Sequence, residues 1–180
     1  MCGIVGVVAQ RSAAPILIRG LQRLEYRGYD SAGLATVDAA GAITRLREVG
    51  KVQNLVKAVE RAPMSSGTGI AHTRWATHGK VTADNAHPHL STFGDADRAV
   101  CLAHNGIIEN HVALRQELLG LGYTFTSQTD SEVIVHLIHR YLSQALDLLE
   151  AVRQAVRRLE GAYALAVIAS GENERIIAAR

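Results

Sequence analysis

Cys2 is the first candidate for chemistry, because it follows the initiator methionine directly and precedes the apolar run GIVGVVA. If Met1 is removed, Cys2 carries both a thiol and a free α-amine. An α-amine titrates near about 7.7–8.0 and can act as the general base for the thiol of the same residue. The alternative is a small hydrophobic residue that packs on a buried strand. Cys101, in AVCLA, is assigned to the core.

Two further motifs contain groups that bind anions. In HTRWATHG, Arg74 suits the grip of a carboxylate through two parallel hydrogen bonds, and Thr77 and His78 add donors. In HNG, the Asn105 side-chain amide and the Gly106 backbone N–H can converge on one oxyanion. The alternatives are a surface arginine at a strand end and an Asn-Gly hairpin turn.

Asp130 lies in the predicted first turn of a helix, where the helix dipole stabilises a carboxylate. That position explains the residue on structural grounds alone. The carboxylate could also bind an ammonium group, such as that of an amino-acid substrate.

Histidine pairs at 87/89 and 136/139 are candidate metal ligands, but the sequence has no HExxH motif and no second cysteine near either pair. YRGYDSAG matches neither G-x-G-x-x-G nor a GKS/T phosphate loop. We therefore predict no metal ion and no cofactor.

The pattern of apolar residues predicts the elements that position these groups. Strands are expected at residues 3–9, 31–37, 42–48, 163–169 and 174–180, at the start of TGIAHTRWATHG and in AVCLAHNGII. Helices are expected from Ser12 as cap to Gly28, over 52–62, after Asn110 as cap, from a Thr129–Glu132 capping box, and over 146–161. NAHPHLSTFGDADR is interpreted as a loop. The order favours an α+β fold with mostly antiparallel sheets and helices layered outside.

Composition excludes several classes of protein. The chain has 180 residues and a formal net charge of +2, which gives no reason to expect a nucleic-acid partner. No apolar run approaches the roughly 20 residues of a membrane helix. Two cysteines make no disulfide framework, so we expect a reduced, cytoplasmic setting.

Taken together, the motifs resemble one family. MCGIVG, RLEYRGYDSAG, HTRWATHG, NAHPH, AHNGIIEN and the T-D-S-E helix start occur in the order of the class II, or N-terminal nucleophile, glutamine amidotransferases. RLEYRGYDSAG with HTRWATHG is similar to the glutaminase domains of the glucosamine-6-phosphate synthases. The resemblance implies a four-layer αββα sandwich and L-glutamine as the substrate.

The resemblance also implies a role for each matching position. Cys2 would be the nucleophile, and Asn105 with the Gly106 N–H would form the oxyanion hole. The glutamine α-carboxylate would bind Arg74, Thr77 and His78, and its α-ammonium would bind Asp130. Arg27 would help to position the N-terminus, and Trp75 would gate the exit of ammonia.

For the whole protein, the resemblance implies that the ammonia serves the synthesis of glucosamine 6-phosphate from fructose 6-phosphate. Residues 2–180 would be the glutaminase domain, incomplete at its C-terminus, with the sugar isomerase domain absent and the isolated domain monomeric. Three alternatives stay open: another class II enzyme of the phosphoribosyl or asparagine-forming type, a catalytically silent fragment that binds glutamine, and a metal hydrolase that uses the histidines.

Overall fold

The computed structural model describes residues 2–76, 79–92, 94, 98–144 and 146–180. In these ranges the chain forms two antiparallel sheets, each covered by helices on one face. The first sheet and its helices come from the N-terminal part of the chain: β1 (Gly3–Val8), α1 (Ala14–Leu24), β2 (Ser31–Val37), β3 (Ile43–Val49), α2 (Val52–Arg61) and β4 (Thr68–Arg74).

The second sheet follows in the C-terminal part. Its elements are β5 (His89–Ser91), β6 (Val100–Ile108), α3 (His111–Gly120), α4 (Asp130–Leu142), α5 (Leu148–Val156), β7 (Gly161–Ala169) and β8 (Ile177–Ala179). The strand orders are β1-β4-β2-β3 and β5-β6-β7-β8, and every pairing is antiparallel. The predicted α+β class is confirmed.

Alternation along the central strands creates four layers, because successive side chains of a strand point to opposite faces. On β2, Leu34 packs against α1 and α2, whereas its neighbour Ala35 faces the second sheet. On β6, Leu102 packs against the other helices and Cys101 faces the first sheet. The layers are therefore helix, sheet, sheet and helix, as the predicted αββα sandwich requires.

Several local predictions differ from the structure. Ser12 does not cap α1; its hydroxyl donates to the Met64 carbonyl at 2.7 Å, and Ala13 is the cap. The α-helix ends at Leu24, before the predicted end at Gly28. A 3₁₀ turn follows over Glu25–Arg27, and Gly28 is the C-cap of that turn.

The predicted capping bonds of α3 and α4 are also wrong, although both caps lie at the predicted residues. The Asn110 side chain bonds the backbone of Arg158 and Glu160. The Thr129 hydroxyl bonds His89 Nε2 at 3.1 Å, and Glu132 accepts hydrogen bonds from the 126–127 segment instead.

The stretch interpreted as a loop contains a short strand, β5, which pairs with β6 through His89 and Leu102. No helix within the described ranges is both long and apolar enough to cross a membrane.

Candidate active site

Cys2 lies immediately before β1, and the pairing of β1 with β4 fixes its position. Gly3 is opposite Thr73, so Cys2 lies beside Arg74, the last residue of β4. The Trp75 backbone N–H donates to the Cys2 Sγ at 3.3 Å, and the same sulfur is 3.6 Å from the Trp75 carbonyl oxygen. Cys2 is half-buried. The strand pairing and the contacts with Trp75 place its thiol at the edge of the first sheet.

Asn105 brings the second sheet to the same place. It lies in β6, and its Nδ2 donates to the Cys2 carbonyl oxygen at 3.4 Å. Its Oδ1 is 2.9 Å from Nε2 of His72 on β4. The side-chain amide of Asn105 therefore bridges the two sheets next to the thiol.

Gly106 is not part of a turn. It lies inside β6, opposite Tyr163 of β7, so the interpretation of Asn-Gly as a hairpin turn is wrong. Its φ is +123°, and a Cβ at this position would lie 2.1 Å from the Ala162 carbonyl oxygen. Only glycine fits this backbone without distortion.

Two backbone N–H groups along one edge of β6 bond side chains that line the cavity. The His104 N–H donates to His87 Nδ1 at 3.2 Å, and the Ile108 N–H donates to Asp130 Oδ2 at 2.8 Å. Alternate N–H groups of a strand point to the same side. We therefore expect the Gly106 N–H to point into the cavity between these two bonds.

Arg74 and Asp130 place opposite charges around this cavity. Arg74 ends β4 and is 5% exposed, with its Nη1 donating to the Lys80 carbonyl at 3.3 Å. Burial lowers the pKa of Arg74, and the nearby carboxylates of Asp30 and Asp130 oppose this shift. Asp130 begins α4, and 19% of its side chain is exposed.

The cavity joins the predicted residues from both sheets. It is lined by Cys2, Arg74, Trp75, His87, His104, Gly106, Ile107, His111, Gln128, Thr129, Asp130 and Ser131. Four of the predicted site residues line the cavity together with Trp75: Cys2, Arg74, Gly106 and Asp130. Asn105 lies beside them and is hydrogen-bonded to Cys2. Thr77 and His78 lie outside the described residues.

The two predicted supporting residues are both exposed, and of the two only Trp75 is among the residues that line the cavity. Trp75 is 42% exposed and packs edge-on against the Tyr29 ring, with centroids 5.3 Å apart. Arg27 is exposed in the 3₁₀ turn and its Nε donates to the Tyr26 hydroxyl at 3.0 Å. The following Gly28 packs on the backbone after β4, where a Cβ would lie 2.8 Å from the Arg74 carbonyl carbon.

Sequence reasoning missed Asp30, which holds the segment after β4 in place. Its Oδ2 accepts the Ala76 N–H at 2.7 Å, and its own N–H donates to the Arg74 carbonyl at 3.1 Å. The available signal was an acidic residue directly before a buried strand in RGYDSAG.

Sequence reasoning considered His87 and His89 only as metal ligands and missed that four buried histidines lie together at the cavity, two of them in its lining: His72, His87, His89 and His104. Burial lowers the pKa of each ring, that of His72 to about 3. His136 is also buried, where it bonds Ser91 and the Thr124 carbonyl. Within the described part of the chain, no three or more histidine, cysteine, aspartate or glutamate side chains are placed to hold a metal ion.

Comparisons with known proteins identify relatives of the chain. A family model described as a glutamine amidotransferase domain matches residues 72–180. Proteins named glutamine–fructose-6-phosphate aminotransferase (isomerizing) from Pseudomonas putida and Escherichia coli are 58% and 56% identical over all 180 residues. The chain spans 29% of the length of these two relatives.

A solved structure shares the fold. The glutamine phosphoribosylpyrophosphate amidotransferase of B. subtilis superposes with a TM-score of 0.80 at 28% identity, over 94% of this chain and 35% of that one. The match confirms the predicted fold of the N-terminal nucleophile type. The chain belongs to the glutamine amidotransferase family.

Proposed function

We propose that this chain hydrolyses the side-chain amide of L-glutamine to glutamate and ammonia, with Cys2 as the nucleophile. The observation that carries the proposal is the bridge from Asn105 Nδ2 to the Cys2 carbonyl at 3.4 Å, at the edge of a cavity lined by Cys2, Gly106, Arg74 and Asp130. A thiol, oxyanion donors and two opposite charges are the groups that an amino-acid amide requires.

Recognition of glutamine follows from the two charges. Arg74 would bind the α-carboxylate, because a guanidinium can donate two parallel hydrogen bonds to a carboxylate. Asp130 would bind the α-ammonium through Oδ1, since its Oδ2 already accepts the Ile108 N–H. By the family resemblance, Thr77 and His78 are proposed as further donors to the carboxylate.

The proposed reaction uses only groups of the chain and water. The Cys2 α-amine takes the thiol proton, and the sulfur attacks the amide carbon. Asn105 Nδ2 and the Gly106 N–H donate to the oxyanion. The protonated amine gives its proton to the departing ammonia, which leaves a thioester. Water then adds to the thioester carbon and releases glutamate and the free thiol. Removal of Met1 is required, because an acylated nitrogen on Cys2 could not act as the base.

The fate of the ammonia is proposed from the names of the relatives. We propose that it is transferred to fructose 6-phosphate to form glucosamine 6-phosphate, on a sugar isomerase domain outside these 180 residues. In this scheme residues 2–180 are the glutaminase domain, Trp75 gates the exit of ammonia, and Arg27 positions the N-terminus. No cofactor is proposed, and the isolated domain is proposed to be a monomer. The proposed compartment is the cytoplasm, since Cys2 and Cys101 are both free thiols.

The test is the release of glutamate from glutamine by the purified chain without sugar phosphate, after mass spectrometry has shown that Met1 is absent. We expect turnover by the wild type and a loss of at least about a thousandfold for Cys2→Ala. Cys101→Ala is the matched control. Cys101 is buried between the sheets and burial raises the pKa of its thiol to about 12, so its removal should leave the rate unchanged.

Two results would contradict the proposal. Full activity of Cys2→Ala would exclude Cys2 as the nucleophile. Glutamine binding without glutamate release, by a chain whose Cys2 amine is free, would identify a silent glutamine-binding fragment instead.

A further inference from the structure

Two stacked histidines lie beside Asn105 of the proposed oxyanion hole, and the reaction described above does not use them. The rings of His72 and His87 have centroids 4.2 Å apart and planes 21° apart. They are 1% and 5% exposed. Burial lowers the pKa of both, so each ring is neutral at neutral pH and carries one N–H.

The chemistry of its two neighbours fixes the orientation of the Asn105 amide. The Cys2 carbonyl oxygen can only accept a hydrogen bond, so the amide presents its NH₂ group to Cys2. Oδ1 then faces His72 Nε2 at 2.9 Å and can only accept. His72 must therefore carry its hydrogen on Nε2. Its buried Nδ1, which has no hydrogen-bond partner among the described residues, is then a bare lone pair and leaves no N–H unsatisfied.

The partners of His87 fix its ring in the same way. The His104 N–H donates to His87 Nδ1 at 3.2 Å, so the hydrogen of His87 is on Nε2. That Nε2 lies 3.3 Å from Ser131 Oγ, which can accept it and donate its own hydrogen to Asp130 Oδ1 at 3.4 Å. The His87 ring is thereby hydrogen-bonded at both nitrogens, and it stacks on the ring of His72.

We propose that His72 is a positioning residue for the amide hydrolysis proposed above. Its Nε2–H holds Oδ1 of Asn105 and so keeps the Nδ2 donor directed at the place where the oxyanion develops. This inference rests on the proposed function, because it concerns the same site. Without the His72 donor, only the longer bond to the Cys2 carbonyl, at 3.4 Å, would hold the orientation of the Asn105 amide.

The test compares two substitutions of His72 in glutamine hydrolysis. His72→Phe keeps a ring to stack on His87 but removes the donor, and we expect kcat to fall about tenfold to a hundredfold with an unchanged KM. His72→Gln restores an N–H donor and should recover part of kcat. In an Asn105→Ala background, His72→Phe should cost nothing further, because its effect passes through Asn105.

The matched control is His136→Phe, which removes another buried histidine with two hydrogen bonds, to Ser91 and the Thr124 carbonyl. Because His136 does not line the cavity, this variant should keep kcat. An unchanged kcat for His72→Phe, or an equal further loss in the Asn105→Ala background, would overturn the inference.

A second measurement does not depend on the variants or on activity. Long-range ¹H–¹⁵N spectra of the wild-type imidazoles should show the Nε2–H form for His72, and an Nδ1–H form would overturn the inference even if His72→Phe fails to fold. A wild type that does not hydrolyse glutamine would instead refute the proposed function, whatever the form of the ring.

Discussion

Asp130 uses its two carboxylate oxygens in different ways. Oδ2 accepts the Ile108 N–H at 2.8 Å and so ties the start of α4 to the end of β6. Oδ1 lies 3.4 Å from the Ser131 hydroxyl and 3.9 Å from His104 Nδ1. The helix start stabilises the negative charge, and the cavity side leaves that charge available to a cation.

We predict that Asp130→Asn raises KM for glutamine by roughly tenfold to a hundredfold, with a smaller effect on kcat. The amide keeps an acceptor for the Ile108 N–H but removes the charge, and a hydrogen bond to a charged group contributes about 1.5–3 kcal/mol. Steady-state kinetics of glutamate release would measure the change.

Asp147→Asn is the control for Asp130→Asn. Asp147 caps α5, where its side chain accepts the Glu150 N–H at 2.8 Å, and it does not line the cavity. Its KM should stay at the wild-type value. Equal KM values for both variants and the wild type would exclude Asp130 from ammonium binding.

The residue types of the site could be predicted, but their supports could not. Cys2, Arg74, Asn105 and Asp130 stand in short motifs whose chemistry is local, and the structure brings them together. Asp30 and His72 act through groups that are distant in sequence, the Ala76 N–H and the Asn105 amide. Such partners emerge only when β4 is placed beside β2 and against β6.

At the scale of elements, β6 depends on the glycine in its middle. We predict that Gly106→Ala destabilises the fold by about 1–3 kcal/mol or more, because φ is +123° and the new Cβ would lie 2.1 Å from the Ala162 carbonyl oxygen. It should also lower glutaminase activity, since the strain displaces the oxyanion donors. Urea unfolding and turnover would measure the two effects.

Gly120→Ala is the opposite case in the same fold. Gly120 ends α3, and a Cβ there would meet nothing within 4 Å, so the variant should be stabilised by about 0.5–1 kcal/mol. A Gly106→Ala variant as stable as Gly120→Ala would contradict the strain argument.

Most elements could be predicted from periodicity, and the exceptions have physical reasons. β5 is three residues long and carries a histidine and a serine that are buried through hydrogen bonds, so its composition is that of a loop. The capping box predicted at Thr129 does not form, because Glu132 accepts four hydrogen bonds from the backbone and hydroxyl groups of residues 126–127. These four bonds outweigh the single bond that Glu132 would accept from the Thr129 N–H in a capping box. Tertiary partners outweigh the local signal in both places.

At the scale of the whole molecule, the buried histidines couple stability to pH. Burial lowers the pKa of five rings: His72, His87, His89, His104 and His136. An unfolded histidine takes up a proton near about pH 6.5, whereas these rings stay neutral in the folded state to lower pH. Their full contribution to stability is therefore present above pH 6.5 or so and is lost as the pH falls.

We predict that the free energy of unfolding decreases from pH 7.5 to 5, by up to about 1.4 kcal/mol per pH unit for each buried histidine. Urea unfolding at several pH values would give the slope of the free energy of unfolding against pH. The His136→Phe variant has one buried histidine fewer, so its slope should be smaller by up to about 1.4 kcal/mol per pH unit. A stability that is flat between pH 7.5 and 5 would contradict the prediction.

The two sheets are also separate in the order of synthesis. All strands of the first sheet lie between residues 3 and 74, and all strands of the second lie between residues 89 and 179. A ribosome that has reached Arg74 has made the thiol and the guanidinium, but not Asn105, Gly106 or Asp130. Under the proposed assignment, the nascent chain carries its nucleophile in an inert form, and catalysis begins only when the later half docks on the earlier one.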